Sequence, residues 1–190
     1  MLMEKDMPRK QRGFTLTEAA IVLGIMGLIL GAIWVAAAAV YNNLRVTTTS
    51  NQLLQVVQSI RSMHATQQTV DSGINSLLVA KAGGIPKDMI TYTNEIPSAV
   101  RDVWGGDVTI AATTYSVTND AFYVQFDDVP QGPCSDLLVR NTGSGRDSGL
   151  VGAGNAASTS TNFPVGLSTA VAACSNATKN SVVFTFRLKT

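Results

Sequence analysis

RGFTLTEAAIVLGIMGLILGAIWVAAAAVY, residues 12–41, is the stretch on which the reading of the chain turns. Basic residues precede it, a Gly13–Phe14 junction opens it, and one carboxylate, Glu18, stands near its start. From Ala19 to Tyr41 every residue is apolar, aromatic or glycine. At ~1.5 Å per residue this run makes a helix of roughly 35 Å, enough to cross a hydrocarbon core of ~30 Å. A lone acid at the edge of such a segment costs free energy unless something neutralises it, which marks Glu18 as functional.

On the N-terminal side, residues 1–13 (MLMEKDMPRKQRG) set Lys5, Arg9, Lys10 and Arg12 against Glu4 and Asp6. Lys and Arg ahead of an apolar span hold that side in the cytoplasm, and beyond the span the first charge is Arg45. Two processing events fit this layout. Ordinary signal peptidase could cut among Ala36–Ala39 and release the downstream domain. Cleavage after Gly13 would instead keep the helix. The apolar run exceeds the ~7–15 residues of a signal-peptide core, and a signal peptide has no use for Glu18.

On the C-terminal side the pattern turns amphipathic. Val46, Leu53, Val57 and Ile60 recur at helical spacing, with Leu54, Val56 and Met63 widening the stripe. This predicts one helix from about Phe14 to about Gln68, its second half packed on a globular domain. Val70 to Lys87 reads as a linker-like stretch containing a short helix over 74–82, punctuated by Gly73, Gly83, Gly84 and Pro86. Trp104-Gly105-Gly106-Asp107 is a turn signal before a strand at 108–110, and the alternation over 121–126 predicts another strand. Residues 133–140 and 167–174 read as short helices, 141–162 as a low-complexity loop, and 181–188 as a terminal strand.

The net charge of +1 hides the basic leader, without which 10 basic residues face 11 acidic ones. A near-neutral remainder argues against nucleic acid as the main partner, because phosphate binding needs a concentrated basic face. The two cysteines, Cys134 and Cys174, both lie beyond the apolar span. In an exported domain they most simply form one disulfide, two free thiols being the other reading. Closing that loop would stabilise the domain by roughly 4 kcal/mol in the chain-entropy model.

No catalytic constellation or cofactor motif emerges. His64 is the only histidine and reads as a helix-surface or domain-contact residue. The glycines at 143–145 and 152–154 lack the strand–loop–helix context of a phosphate cradle and read as loops. Asp127-Asp128 reads as a solvated turn rather than a calcium pair, so no metal is expected. Asn176-Ala177-Thr178 fits a glycosylation acceptor whose use depends on a host machinery.

Gly13-Phe14-Thr15-Leu16-Thr17-Glu18 followed by an apolar helix resembles the prepilin signature of type IV pilins and the related pseudopilins. The resemblance implies a prepilin peptidase that cuts after Gly13 and methylates the new amine of Phe14. Glu18 then falls at the fifth mature position, where the family places its glutamate. An α-amine of pKa near ~8 stays protonated at neutral pH, so Glu18 of an incoming subunit can pair with the Phe14 ammonium of a neighbour. The rest of the helix is apolar all round and must be buried in lipid or among copies of itself. Gly24, Gly27 and Gly31 offer close-packing points, and Val35 stands where many pilins carry a helix-bending proline. The order of parts at 104–110, 134–140 and 167–188 resembles the type IVb subgroup, which includes the toxin-coregulated and bundle-forming pilins. Phe14 and the thirteen-residue leader depart from that subgroup's usual pattern.

The expected architecture is therefore α+β, a long N-terminal α-helix packed on a C-terminal domain with an antiparallel sheet. Its parts are a cleaved leader over 1–13, a transmembrane and filament-core helix over 14–41, the amphipathic half of that helix over 42–68, and a head over 69–190 carrying the disulfide loop 134–174. The expected function is a non-enzymatic pilus subunit. Its expected partners are other pilin subunits, prepilin peptidase, the inner-membrane assembly machinery and the membrane itself. It would reside in the inner membrane with its N-terminus cytoplasmic, then in an extracellular fimbrium. Alternatives are a minor pilin, a type II secretion pseudopilin, or a soluble exported binding domain.

Overall fold

The computed structural model describes residues 15–143, 149–156 and 158–189. The long helix is α1, Leu16–Met63. Contacts divide the chain within it, at Tyr41/Asn42. In the N-terminal unit α1 opens on Thr15, whose hydroxyl accepts from the Glu18 amide (3.3 Å) and whose carbonyl accepts from the Ala19 amide (3.1 Å). A threonine side chain thereby satisfies one of the amides that every helix leaves unpaired at its start.

In the C-terminal unit the remainder of α1 is amphipathic. Val46, Leu53, Val56, Val57 and Ile60 are buried in the core, whereas Leu54 and Met63 face outward, so the stripe is narrower than the sequence suggested. The helix ends at Met63 rather than near Gln68. His64 still donates its amide to Ile60, but Ala65 and Gln67 then bond three residues back, to Ser62 and His64, and tighten the last turn. Beyond that turn, buried Val70 donates to the Asn119 carbonyl (2.7 Å), which draws the chain off the helix axis and into the domain. His64 itself stays at that terminus, its Nδ1 2.9 Å from the Ile60 carbonyl.

The stretch 70–87 is part of the core and not a linker: Val70, Ile74, Val79, Ala80 and Ile85 are all buried. Within it lies α2, Ser76–Lys81, capped by the Asn75 side chain, which accepts from the Leu78 amide (2.9 Å). A 3₁₀ turn at Lys87–Met89 leads into the hairpin β1, Ile90–Thr93, and β2, Ile96–Val100. Sequence reading missed this hairpin. Its signal was Asn94-Glu95, which takes left-handed φ at both positions (50° and 64°), as a two-residue turn between twisted strands requires.

The main sheet has five strands in the order β3-β4-β7-β5-β6, each neighbouring pair antiparallel. They are β3 (Val108–Thr113), β4 (Ala121–Val129), β5 (Leu150–Asn155), β6 (Ser158–Ser160) and β7 (Asn180–Arg187). The last strand in sequence thus lies at the centre. Alternation on β4 and β7 turns Phe122, Val124 and Phe126 inward opposite Phe186, Phe184 and Val182. Fully burying side chains of this size stabilises by about 1.5–3 kcal/mol each. At the β3 edge, the Ser76 hydroxyl donates to the Val108 carbonyl (2.6 Å) and accepts from the Ile110 amide (2.9 Å), covering backbone that would otherwise invite another strand.

Two loop readings are corrected by the sheet. Residues 141–162 and the glycine-rich segment within them contribute β5 and β6. Gly152, Ala153 and Gly154 are buried, and a Cβ on Gly152 would come within 3.3 Å of Thr185, so small residues suit a strand laid tightly against β7. Asp127-Asp128, the first half-buried and the second exposed, lies at an irregularity of β4, with Asp128 at φ 57°, rather than in a turn. Asp127 accepts there from Ser181 (2.5 Å) and Gln125 (2.8 Å).

Helices α3, Gln131–Thr142, and α4, Leu167–Ala173, carry the cysteines. Cys134 in the first turn of α3 is disulfide-bonded to Cys174 at the C-terminus of α4, with Cα atoms 5.9 Å apart and both residues buried.

Candidate functional site

Among the described residues, α1 is the helix long and apolar enough to cross a membrane, and none of its most apolar stretch is buried within the protein. Every side chain from Leu16 to Ala37 is exposed, Trp34 at 76% and Ile21 at 63% among them. Free energy penalises such an arrangement in water, so the cylinder must be covered by lipid or by other apolar helices. A Cβ added at Gly24, Gly27 or Gly31 would meet nothing within 4 Å. Nothing among the described residues of this unit therefore requires glycine there, although each weakens the helix by about 1 kcal/mol relative to alanine.

Glu18 is the acid in the first turn of this helix. A carboxylate at that position is favoured by the partial positive charge of the unpaired amides around it. Thr15-Leu16-Thr17-Glu18 has the spacing of a capping box, and the Thr15 half of it is formed. Thr15 is the contributor that sequence reading passed over, although the Ser/Thr-x-x-Glu pattern was there to find. Gly13 and Phe14, the expected cleavage and methylation positions, lie outside the described residues.

Cys134 and Cys174 sit in the other unit, where their bond ties α3 to α4 across the segment carrying β5 and β6. Asn180 fastens the neighbouring end of β7, donating to the carbonyls of Val129 (3.0 Å) and Asn176 (2.6 Å). Asn176, in the glycosylation-like triplet, is exposed and engaged locally, its Oδ1 accepting from the Thr178 and Lys179 amides.

Two carboxyls of this unit are perturbed in opposite directions. Burial raises Asp102 to about 6, against the amides of Gly106 and Trp104 that donate to its Oδ1; its Oδ2 is buried and unbonded. Burial would raise Asp120 as well, but the Tyr115 and Ser116 amides and the Ser116 hydroxyl hold it down at about 2. Neither residue belongs to a group that could act as nucleophile and base, and among the described residues no three His, Cys, Asp or Glu side chains gather as metal ligands.

Comparison with known proteins agrees with this anatomy. The family described as PilS N terminal matches residues 43–187, and the prokaryotic N-terminal methylation motif matches residues 8–34. No curated protein sequence matches the chain. Among solved structures, a type IV b pilin from Salmonella typhi superposes with a TM-score of 0.50 at 18% identity, over 70% of this chain and 93% of that one. TcpA, a type IV pilin from Vibrio cholerae El Tor biotype, does so with a TM-score of 0.52 at 14% identity, over 75% of this chain and 98% of that one. At such identities the likeness establishes the fold, a long N-terminal helix followed by a domain with an antiparallel sheet. The chain belongs to the PilS family of type IV pilins.

Proposed function

We propose that the protein is the structural subunit of a type IV pilus, made as a prepilin and polymerised through its N-terminal helix. Prepilin peptidase removes the leader 1–13 by cutting after Gly13 and methylates the amine of Phe14. Residues 14–41 then anchor the subunit in the inner membrane and later form the filament core, while the disulfide-closed domain forms the outer surface. The observation that carries this reading is the exposed apolar surface of α1 with the single acid Glu18 at its head. A bundle of such helices buries that surface, and an intersubunit pair between Glu18 and the Phe14 ammonium offsets the desolvation of both charges. The subunit has no catalytic role in this scheme; the peptidase and the assembly machinery supply the chemistry.

The test is the mature N-terminus. Mass spectrometry of the membrane-held protein should find a chain beginning at methylated Phe14. A start near Val40 would mean release by signal peptidase and would overturn the proposal. A minor pilin or a secretion pseudopilin shares the same helix, and abundance in sheared surface fibres separates these from a major subunit.

A further inference from the structure

Arg187, the last residue of β7, has its backbone fixed on both sides. Its amide donates to the Gly149 carbonyl (2.8 Å), and its carbonyl accepts from Nε and Nη2 of Arg61 (3.3 and 2.9 Å). Its guanidinium lies over the Tyr115 ring, 5.3 Å from the centroid. Among the described residues Asp107, Asp136 and Asp128 pair with Arg101, Arg140 and Lys179, and no salt bridge is seen between a described carboxylate and Arg187. Asp120, bonded to the Tyr115 backbone, is occupied by three donors from Tyr115 and Ser116. The guanidinium therefore presents a planar fork of N–H donors already oriented by an aromatic ring.

That fork borders a cavity of about 420 Å³ lined also by Tyr115, Leu150, Val151, Thr161 and Phe163. Small-molecule sites run from about 300 to 1,000 Å³, apolar in their walls with a few placed polar groups. Tyr115 is 54% exposed, so part of it beside the Arg187 guanidinium is open to a ligand that stays partly in water. Two aromatic rings offer flat apolar surface, Thr161 offers a hydroxyl, and Arg187 offers the geometry that holds a carboxylate through two parallel hydrogen bonds. We infer that this cavity binds a carboxylated sugar, its carboxylate on Arg187 and its ring against Tyr115 and Phe163. A hydroxylated ring with an apolar C–H face and one acid matches both the mixed walls and the cation that lines them. An apolar acid would make no use of the exposed Thr161 hydroxyl and gain less from an open cavity.

Full-length protein in detergent micelles can be titrated with N-acetylneuraminic acid and glucuronic acid while the amide spectrum is followed by NMR, with glucose and benzoate as comparison probes. Saturable shifts at Leu150, Val151 and Arg187 are expected for the two acidic sugars and absent for glucose. R187K, which keeps the charge and loses the fork, should weaken binding roughly tenfold, and R187Q should abolish it. Y115A alters an exposed side chain and should also weaken binding, which keeps the site testable should R187Q fail to fold. Unchanged binding in R187K and Y115A, equal binding of benzoate, or no saturable shift with either acidic sugar would each overturn the inference. The readout does not depend on polymerisation, so failure of the pilus reading leaves it standing.

Discussion

Glu18 has one carboxylate and two roles to fill. Within the subunit it stands in the first turn of α1, where the helix dipole and the Thr15 cap favour it. In the proposed filament it faces a neighbour's ammonium, and removing one member of a buried pair costs about 3–5 kcal/mol. Glu18→Val should therefore yield a processed, membrane-held subunit that is absent from fibres; normal piliation by electron microscopy would refute the pairing. Asp102 supplies a second prediction, on stability. Its folded pKa of about 6 lies above its ordinary value of 3.8, so its contribution is fully present below about pH 3.8 and is lost as pH rises through 6. The loss is on the order of 2 kcal/mol once solvent screening is allowed for. Asp120 acts in the opposite sense: its contribution is present above pH 3.8 and is lost as pH falls through about 2. Melting temperature of the wild type should decline between pH 4 and 6, and Asp102→Asn, which can still accept the two amide hydrogen bonds, should flatten that decline. A parallel decline in the variant would assign the effect to other groups.

Among the elements, the turn over 102–107 and the first half of α1 use glycine for different reasons. Gly106 packs on β4 so closely that an added Cβ would lie 1.8 Å from the Asp127 carbonyl oxygen. Gly106→Ala must displace backbone, and a loss of about 3 kcal/mol or more in chemical denaturation is expected. A Cβ at Gly27 meets nothing within 4 Å among the described residues. Gly27→Leu should therefore keep or raise micellar helicity by circular dichroism and yet reduce fibre yield; an undiminished yield would show that close helix approach is not used there. The elements also separate what was legible from what was not. The strands β4 and β7 announce themselves because alternation and aromatic content coincide in 121–126 and 181–188. The strand β5 is silent because Gly152-Ala153-Gly154 carries no periodicity: its residues are suited to the tight approach of β7, which lies far along the chain.

At the scale of the whole molecule, the disulfide is the covalent tie of the domain. It encloses α3, β5, β6 and α4 in one loop, and the central strand β7 comes directly after it. Cys134→Ser should lower stability by roughly 4 kcal/mol in the chain-entropy model. Faster proteolysis and a shifted band on a non-reducing gel would report it; unchanged protease resistance would show that packing alone holds the loop. Because β7 pairs with both β4 and β5, loosening the loop should disturb the β5 side of the sheet first and leave the β3–β4 hairpin intact, which hydrogen exchange can resolve.

The sequence by itself determined the apolar helix. A continuous apolar run, its lone acid and the basic residues ahead of it are local properties, and no distant contact is needed to read them. It also determined the two-cysteine frame and the strands whose side chains alternate. Only the tertiary structure decided that β7 lies at the centre of the sheet, that 70–87 belongs to the core, and that Arg187 stands beside two aromatic rings with no carboxylate partner among the described residues. Those outcomes come from pairings between residues far apart in the chain, and such pairings leave no periodic trace in either partner. Burial of Asp102 is of the same kind, since a carboxylate in a Gly-Gly turn looks exposed until Gly106 of that turn is seen packed against Asp127 of β4.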